Sequence, residues 1–263
     1  MDIELISRQP ETPTGRPHLL FVHGAFHGAW CWDEHFLPWF AGQGWAAHAL
    51  SLRGHGASEG AARIRSFTLE TYCDDVAGAI GRIGAPVVLV GHSMGGVVAE
   101  RVFHRNRDAA GLVFFAASPL RPARQVVAKL MGLRPVSLVL GQVLGSPALL
   151  RKAMEPSFLP EDMGPAERER HLARLGPESP GALKELFRRD PMRVGEGDTR
   201  PVLVVGGTED WSIPQADHEA LARQYGAPLE MCPGAHDLML GADWQASAGA
   251  IRDWLDTAFP GPA

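Results

Sequence analysis

Short apolar runs alternate along this chain with stretches of helical spacing. Ile3–Ser7, Leu19–His23, Ala46–Leu52, Pro86–Val90, Leu112–Ala116, Val202–Val205 and Leu229–Cys232 have strand length and are mostly apolar. Strands buried on both faces read this way, so the pattern predicts a mostly parallel sheet covered by helices. Leu69, Tyr72, Val76, Ile80 and Ile83 fall on one helical face. Met94–His104, Gln215–Tyr225 and Trp244–Phe259 are the other clear helices of this α/β alternation. From Pro119 to Gly197 the rhythm stops. That stretch is rich in Leu, Pro and Arg and predicts short helices near Gln125–Met131, Leu138–Leu144, Ala148–Met154, Pro165–Leu175 and Ala182–Arg188. It reads as a helical cap, residues 119–197, inserted into a single-domain core of residues 1–118 and 198–263.

Composition narrows the function. Of 263 residues, 45% are hydrophobic and 21% charged, as in ordinary globular proteins. The formal net charge of −5 gives no electrostatic footing for nucleic acid or an anionic membrane. No apolar run approaches the roughly 20 residues of a spanning helix, and Met1-Asp2-Ile3-Glu4 is acidic where a signal peptide is basic. Cys31, Cys73 and Cys232 are too few and too scattered for a disulfide framework or a metal site. A reduced, cytoplasmic setting is the expectation, with a small molecule as partner, no metal and no cofactor. Oligomeric state is not legible.

The chemistry concentrates in Val87-Val88-Leu89-Val90-Gly91-His92-Ser93-Met94-Gly95-Gly96. A Gly-x-Ser-x-Gly between an apolar strand and a helix is a nucleophile elbow. The turn strains the serine backbone, and side chains two positions away on either side would clash, so both places require glycine. A serine hydroxyl needs a base, and the base an orienting acid. Asp210 follows an apolar strand and precedes Trp211 and Pro214, with Glu209 its rival. His236 follows the last strand and the Pro233-Gly234 turn; His218, the only other histidine beyond Asp210, sits in a helix and is expected to face solvent. Asp74-Asp75 reads as the solvated side of an amphipathic helix. His92 reads as structural or pocket-lining.

These segments resemble the α/β-hydrolase family over nearly the whole chain. Gly91–Gly96 is similar to its elbow, Phe21-Val22-His23-Gly24 to its oxyanion strand end, and Val204–Asp210 and Gly234–Asp237 to its acid and histidine loops. Ser51-Leu52-Arg53-Gly54-His55-Gly56-Ala57-Ser58 resembles a family loop that usually opens with Asp, where this chain has Ser51. The resemblance implies a mostly parallel central sheet with a cap, a Ser93–His236–Asp210 triad, and backbone N–H groups of Ala25 and Met94 as the oxyanion hole. Gly24–Trp32 is similar to the corresponding stretch of plant methylesterases and hydroxynitrile lyases. It makes Phe26, His27 and Trp30 candidate pocket residues, although a core role for Trp30 and a loop-fixing hydrogen bond for His27 are equally consistent. Trp32 reads as core.

Carboxylic ester hydrolysis, with lactones and thioesters as variants, fits these residues. Rivals are a same-fold lyase, a C–C bond hydrolase or cofactor-free perhydrolase or oxygenase, and a non-catalytic small-molecule receptor. The lyases place threonine and lysine where this chain has Gly24 and Asp237, which favours hydrolysis.

Overall fold

The computed structural model describes residues 1–117, 135–144, 163–188 and 198–261, together with residues 146, 148, 149, 152 and 159. Seven strands form one sheet: β1 (Leu5–Arg8), β2 (His18–Val22), β3 (Ala47–Leu50), β4 (Val87–His92), β5 (Ala109–Phe115), β6 (Val202–Gly207) and β7 (Leu229–Cys232). Their order is β1-β3-β2-β4-β5-β6-β7. Only β1 runs antiparallel to its neighbour. Strands β2 to β6 are buried almost throughout, as their unbroken apolar runs require.

Helices cover both faces. On one lie α1 (Trp30–Asp33), α2 (Phe36–Gly42) and the final helix, Trp244–Ala258. They pack Trp32, Phe36 and Phe40 against Phe21 and Phe115 of the sheet. Trp32 is core, as expected. On the other face, α3 (Leu69–Ile83) and α4 (Met94–Arg105) bury Tyr72, Val76, Ile80, Val98 and Phe103. Each such side chain stabilises the fold by about 1.5–3 kcal/mol on burial.

Local chemistry sets the ends of α3. Thr68 and Thr71 form a reciprocal capping box at its start, and Gly84, at φ 67°, closes its end. Within α3 the sequence expectation needs correcting. Asp75 lies on the buried side, where Arg53 grips its carboxylate through Nε and Nη2 and through the backbone N–H. It ties the Ser51–Ser58 loop to the helix; Asp74 alone is exposed. In that loop Ser51 does not go uncompensated. Its hydroxyl accepts from Ala29 N–H and donates to Glu4, which supplies the missing carboxylate from outside the motif.

Between β5 and β6 the described residues include α5 (Pro135–Leu144), α6 (Pro165–Leu172) and α7 (Pro180–Arg188). The helix expected at Gln125–Met131, with Met131, most of that at Ala148–Met154, and the cap boundaries at 119 and 197 lie outside the described residues. After β6 comes α8 (Gln215–Tyr225); the final helix is α9. Among the described residues, no helix is long and apolar enough to cross a membrane.

Candidate active site

Ser93 sits between β4 and α4 at φ 51° and ψ −118°. That left-handed backbone is strained for any residue with a side chain, by about 1–3 kcal/mol. The flanking glycines make it possible. A Cβ on Gly91 would lie 2.5 Å from Gly96 Cα, and one on Gly95 would lie 2.4 Å from the His23 carbonyl oxygen. The elbow is thus pressed against the end of β2, and Ser93 remains partly exposed where its neighbours are buried.

Asp210 leaves β6 on a loop and His236 follows β7. The structure brings them together: His236 Nδ1 donates to Asp210 Oδ2 at 2.7 Å. Asp210 Oδ1 accepts from the backbone N–H groups of Ser212 (2.8 Å) and Ile213 (3.1 Å). Burial alone would raise the Asp210 pKa, but the His236 charge and these three donors outweigh it and hold the group below the usual carboxylate range. For His236, burial works against the charged form, yet the Asp210 carboxylate prevails and the pKa stands above the ordinary histidine value. Glu209, the rival acid, is exposed.

His92 fastens the histidine loop to the elbow. Its ring lies 4.8 Å from that of His236, and its Nε2–H donates to the His236 carbonyl at 3.2 Å. Burial pushes its pKa down to about 3, so the ring is neutral. The expectation for His218 is corrected: it is fully buried. It shares one face of α8 with Leu221 and Ala222 and packs on Gly206, where a Cβ would come within 2.6 Å of its ring. That i, i+3, i+4 spacing was readable in the sequence.

The oxyanion candidates flank the serine. Met94 is the first residue of α4, whose leading N–H groups have no intrahelical acceptor. Ala25 follows Gly24, and a Cβ on Gly24 would stand 3.1 Å from Ser93 Cβ. His23 Nδ1–H donates to the Gly24 carbonyl at 2.7 Å while its Nε2 accepts from Leu52 N–H at 3.0 Å. Burial lowers its pKa well below the ordinary value, in keeping with that neutral tautomer.

Of the pocket candidates, Phe26 and Trp30 are about 5% exposed and His27 is also buried. His27 Nδ1 meets the Ala25 carbonyl at 2.8 Å and Nε2 meets Asp237 Oδ2 at 3.1 Å, which is a loop-fixing arrangement. Trp30 stacks between His27 and His171. His27 and Trp30 line a small cavity with Leu159, His171, Leu172, Leu175 and Asp237. The sequence reading gave no part to Asp237 as a partner of His27, nor to Glu178, which is buried beside His55 and Tyr72. Both pairings join residues more than a hundred positions apart, so no local signal marks them. Among the described residues, no group of three or more His, Cys, Asp or Glu could hold a metal ion.

Residues 19–250 match the model of the alpha/beta hydrolase family. The chain belongs to that family. It is 24% identical to the rice esterase PIR7B over 87% of this chain and 92% of that one. It is 28% identical to the pyrethroid hydrolase of Sphingobium wenxiniae over 90% and 87% of the two chains. Among solved structures, a thermophilic esterase from Thermogutta terrifontis superposes with a TM-score of 0.76 at 23% identity, over 97% of this chain and 93% of that one. That likeness concerns the fold.

Proposed function

We propose that this alpha/beta hydrolase cleaves carboxylic esters of small, fairly apolar substrates through an acyl-enzyme on Ser93, with lactones and thioesters open to the same chemistry. The observation that carries this reading is the buried Asp210–His236 pair, whose histidine loop His92 fastens to the strained elbow that carries Ser93. Because Asp210 takes Nδ1, the opposite nitrogen, Nε2, is the one to receive the Ser93 proton. The Ser93 oxygen attacks the carbonyl carbon, and charge gathers on the carbonyl oxygen. Backbone N–H groups of Ala25 and Met94 hold that oxyanion. The intermediate collapses, the C–O bond to the leaving alcohol breaks, and His236 returns the proton to the alcohol. Water repeats the cycle and frees the acid. Asp210 fixes the tautomer and balances the imidazolium. Residues 119–197 act as a cap, and Trp30, Leu172 and Leu175 line a small cavity beside His27.

The names of the relatives, an esterase and a pyrethroid hydrolase, agree with ester cleavage. The lyase reading is disfavoured by Gly24: a Cβ there would stand 2.6 Å from His92 Nδ1, leaving no room for threonine unless the ring shifts. An organophosphonate is expected to label Ser93 stoichiometrically, as mapped by peptide mass, and Ser93→Ala to abolish turnover of p-nitrophenyl esters. Adducts on other serines with Ser93 unmodified would overturn the assignment.

A further inference from the structure

Glu178 lies between β5 and β6, far in sequence from the elbow, yet it is 1% exposed and surrounded by donors. Its Oε1 accepts from the Tyr72 hydroxyl at 2.7 Å and from Ser179 N–H at 2.6 Å. Its Oε2 accepts from His55 Nε2 at 3.0 Å and from the Phe26 N–H at 3.3 Å. The last of these is the unusual one. Phe26 has φ 71°, a strained conformation for an aromatic residue, and such strain persists only where the surroundings over-determine it. Here they do. The same segment donates Gly176 N–H to the Phe26 carbonyl at 3.0 Å, so both polar groups of Phe26 are gripped from outside the core.

We propose that Glu178 is a positioning residue for the oxyanion hole: by accepting the Phe26 N–H it fixes the Ala25–Phe26 peptide, and so the direction of the Ala25 N–H. The inference rests on the reading of Ala25 as an oxyanion donor. The peptide unit is planar, with N–H and C=O pointing opposite ways. The Gly24 carbonyl is held by the His23 ring, which turns the Ala25 N–H to the other side. The next peptide is held at both ends, its N–H by Glu178 and its carbonyl by His27. Release of the Glu178 end leaves Phe26 free to relax out of its strained conformation, and the Ala25 N–H turns with it. Glu178 is suited to this task because it remains a carboxylate in a buried place. Burial would raise its pKa, but the His55 charge and the surrounding donors bring it below the ordinary value. The segment proposed as a cap would thus complete the catalytic apparatus as well as cover it.

The test uses the full chain carrying Glu178→Ala and, separately, Glu178→Gln, assayed on an ester that the wild type turns over. Loss of one oxyanion donor costs about 10²–10³ in rate, and misalignment should cost part of that. The expected result for Glu178→Ala is a kcat about 10- to 100-fold lower with KM within about threefold. Affinity for a trifluoromethyl ketone, which forms a tetrahedral adduct on the serine, should fall by the same factor; affinity for the product acid should not. Gln offers one oxygen where four donors converge on two, so its losses should be in the same direction and smaller. Should the Ala variant not fold, the Gln variant decides alone. A folded variant with a lower melting temperature but wild-type kcat and ketone affinity would overturn the proposal and leave Glu178 a tie between segment and core. Failure of the underlying reading looks different: Ser93→Ala would retain activity, or phosphonate would not label Ser93.

Discussion

His236 meets Asp210 through Nδ1 at 2.7 Å, and His55 meets Glu178 through Nε2 at 3.0 Å. All four side chains are at most 2% exposed, and in both pairs the histidine pKa is raised and the carboxylate pKa lowered. The difference lies in the rest of each ring. His55 Nδ1 faces the Arg53 carbonyl at 3.3 Å, so both of its nitrogens are spent on fixed protein oxygens. His27 is held in the same two-ended way between Ala25 and Asp237. In His236 the carboxylate takes Nδ1, so in the proposed mechanism Nε2 is the nitrogen that exchanges the serine proton. Burial and a charged partner therefore do not distinguish a base from a strut. Which nitrogen carries the carboxylate does.

The sharpest way to break this contrast is Asp210→Asn. An amide can hold His236 in the wrong tautomer while the loop keeps its shape, and turnover is expected to fall by roughly 10⁴, read as kcat on a p-nitrophenyl ester. The pH profile adds a sign. The base acts in its neutral form and its pKa is raised, so kcat/KM of the wild type should climb with pH through a midpoint above about 6.5. In the residual activity of the variant, that midpoint should move down. Activity within tenfold of wild type would move the acid role elsewhere, with Glu209 next in line.

The opposite pattern is expected at the other pair. His55→Gln leaves Glu178 buried without its cation, and breaking such a pair costs about 3–5 kcal/mol; the three remaining donors place the expected loss near 3. Urea denaturation at pH 7 measures it. A raised histidine pKa contributes stability that is complete below the unfolded value and is lost as pH rises through the folded one. The lowered Glu178 pKa contributes stability that is lost as pH falls through its folded value. The wild type should therefore lose stability on the alkaline side, and the His55 share of that loss should vanish in the variant. A variant as stable as wild type would show that Tyr72, Ser179 and Phe26 suffice to hold the carboxylate.

The same contrast explains what the sequence discloses. The elbow, the Gly-x-x-Asp end of β6 and the turn before His236 are local patterns, because each role demands a particular backbone at a strand end. The strands of the core were legible for the same reason, as unbroken apolar runs. The Asp75–Arg53 grip and the Glu178 cluster depend on which segments meet, and a single helix or loop does not carry that; the burial of His218, by contrast, follows its spacing with Leu221 and Ala222. Asp75 shares a helix with exposed Asp74, and the solvated reading held only for the latter. Glu178 sits between two prolines, Pro177 and Pro180, with nothing around it to mark a buried carboxylate.

The smallest effect expected is at Leu144. From sequence the apolar run through Met131, Leu138 and Leu144 suggests an apolar lid, although packing of cap on core is the reading that fits most of its residues; a pocket role would make substitutions there shift selectivity along a chain-length series. In the structure Leu144 is 67% exposed, on a helix that also exposes Val136, Val139, Leu140 and Val143. Leu172 and Leu175, by contrast, reach the cavity beside His27 and Trp30. A side chain in water cannot discriminate between transition states, whereas one methylene in an apolar pocket is worth about 1–3 kcal/mol. Leu144→Ser should therefore change the ratio of kcat/KM between short and long acyl esters by less than about twofold, and stability by no more than about 0.5 kcal/mol, as for surface substitutions generally. A tenfold shift in that ratio would mean that this helix folds over the substrate during turnover, and the division between a solvent-facing α5 and a pocket-facing α6 would fall.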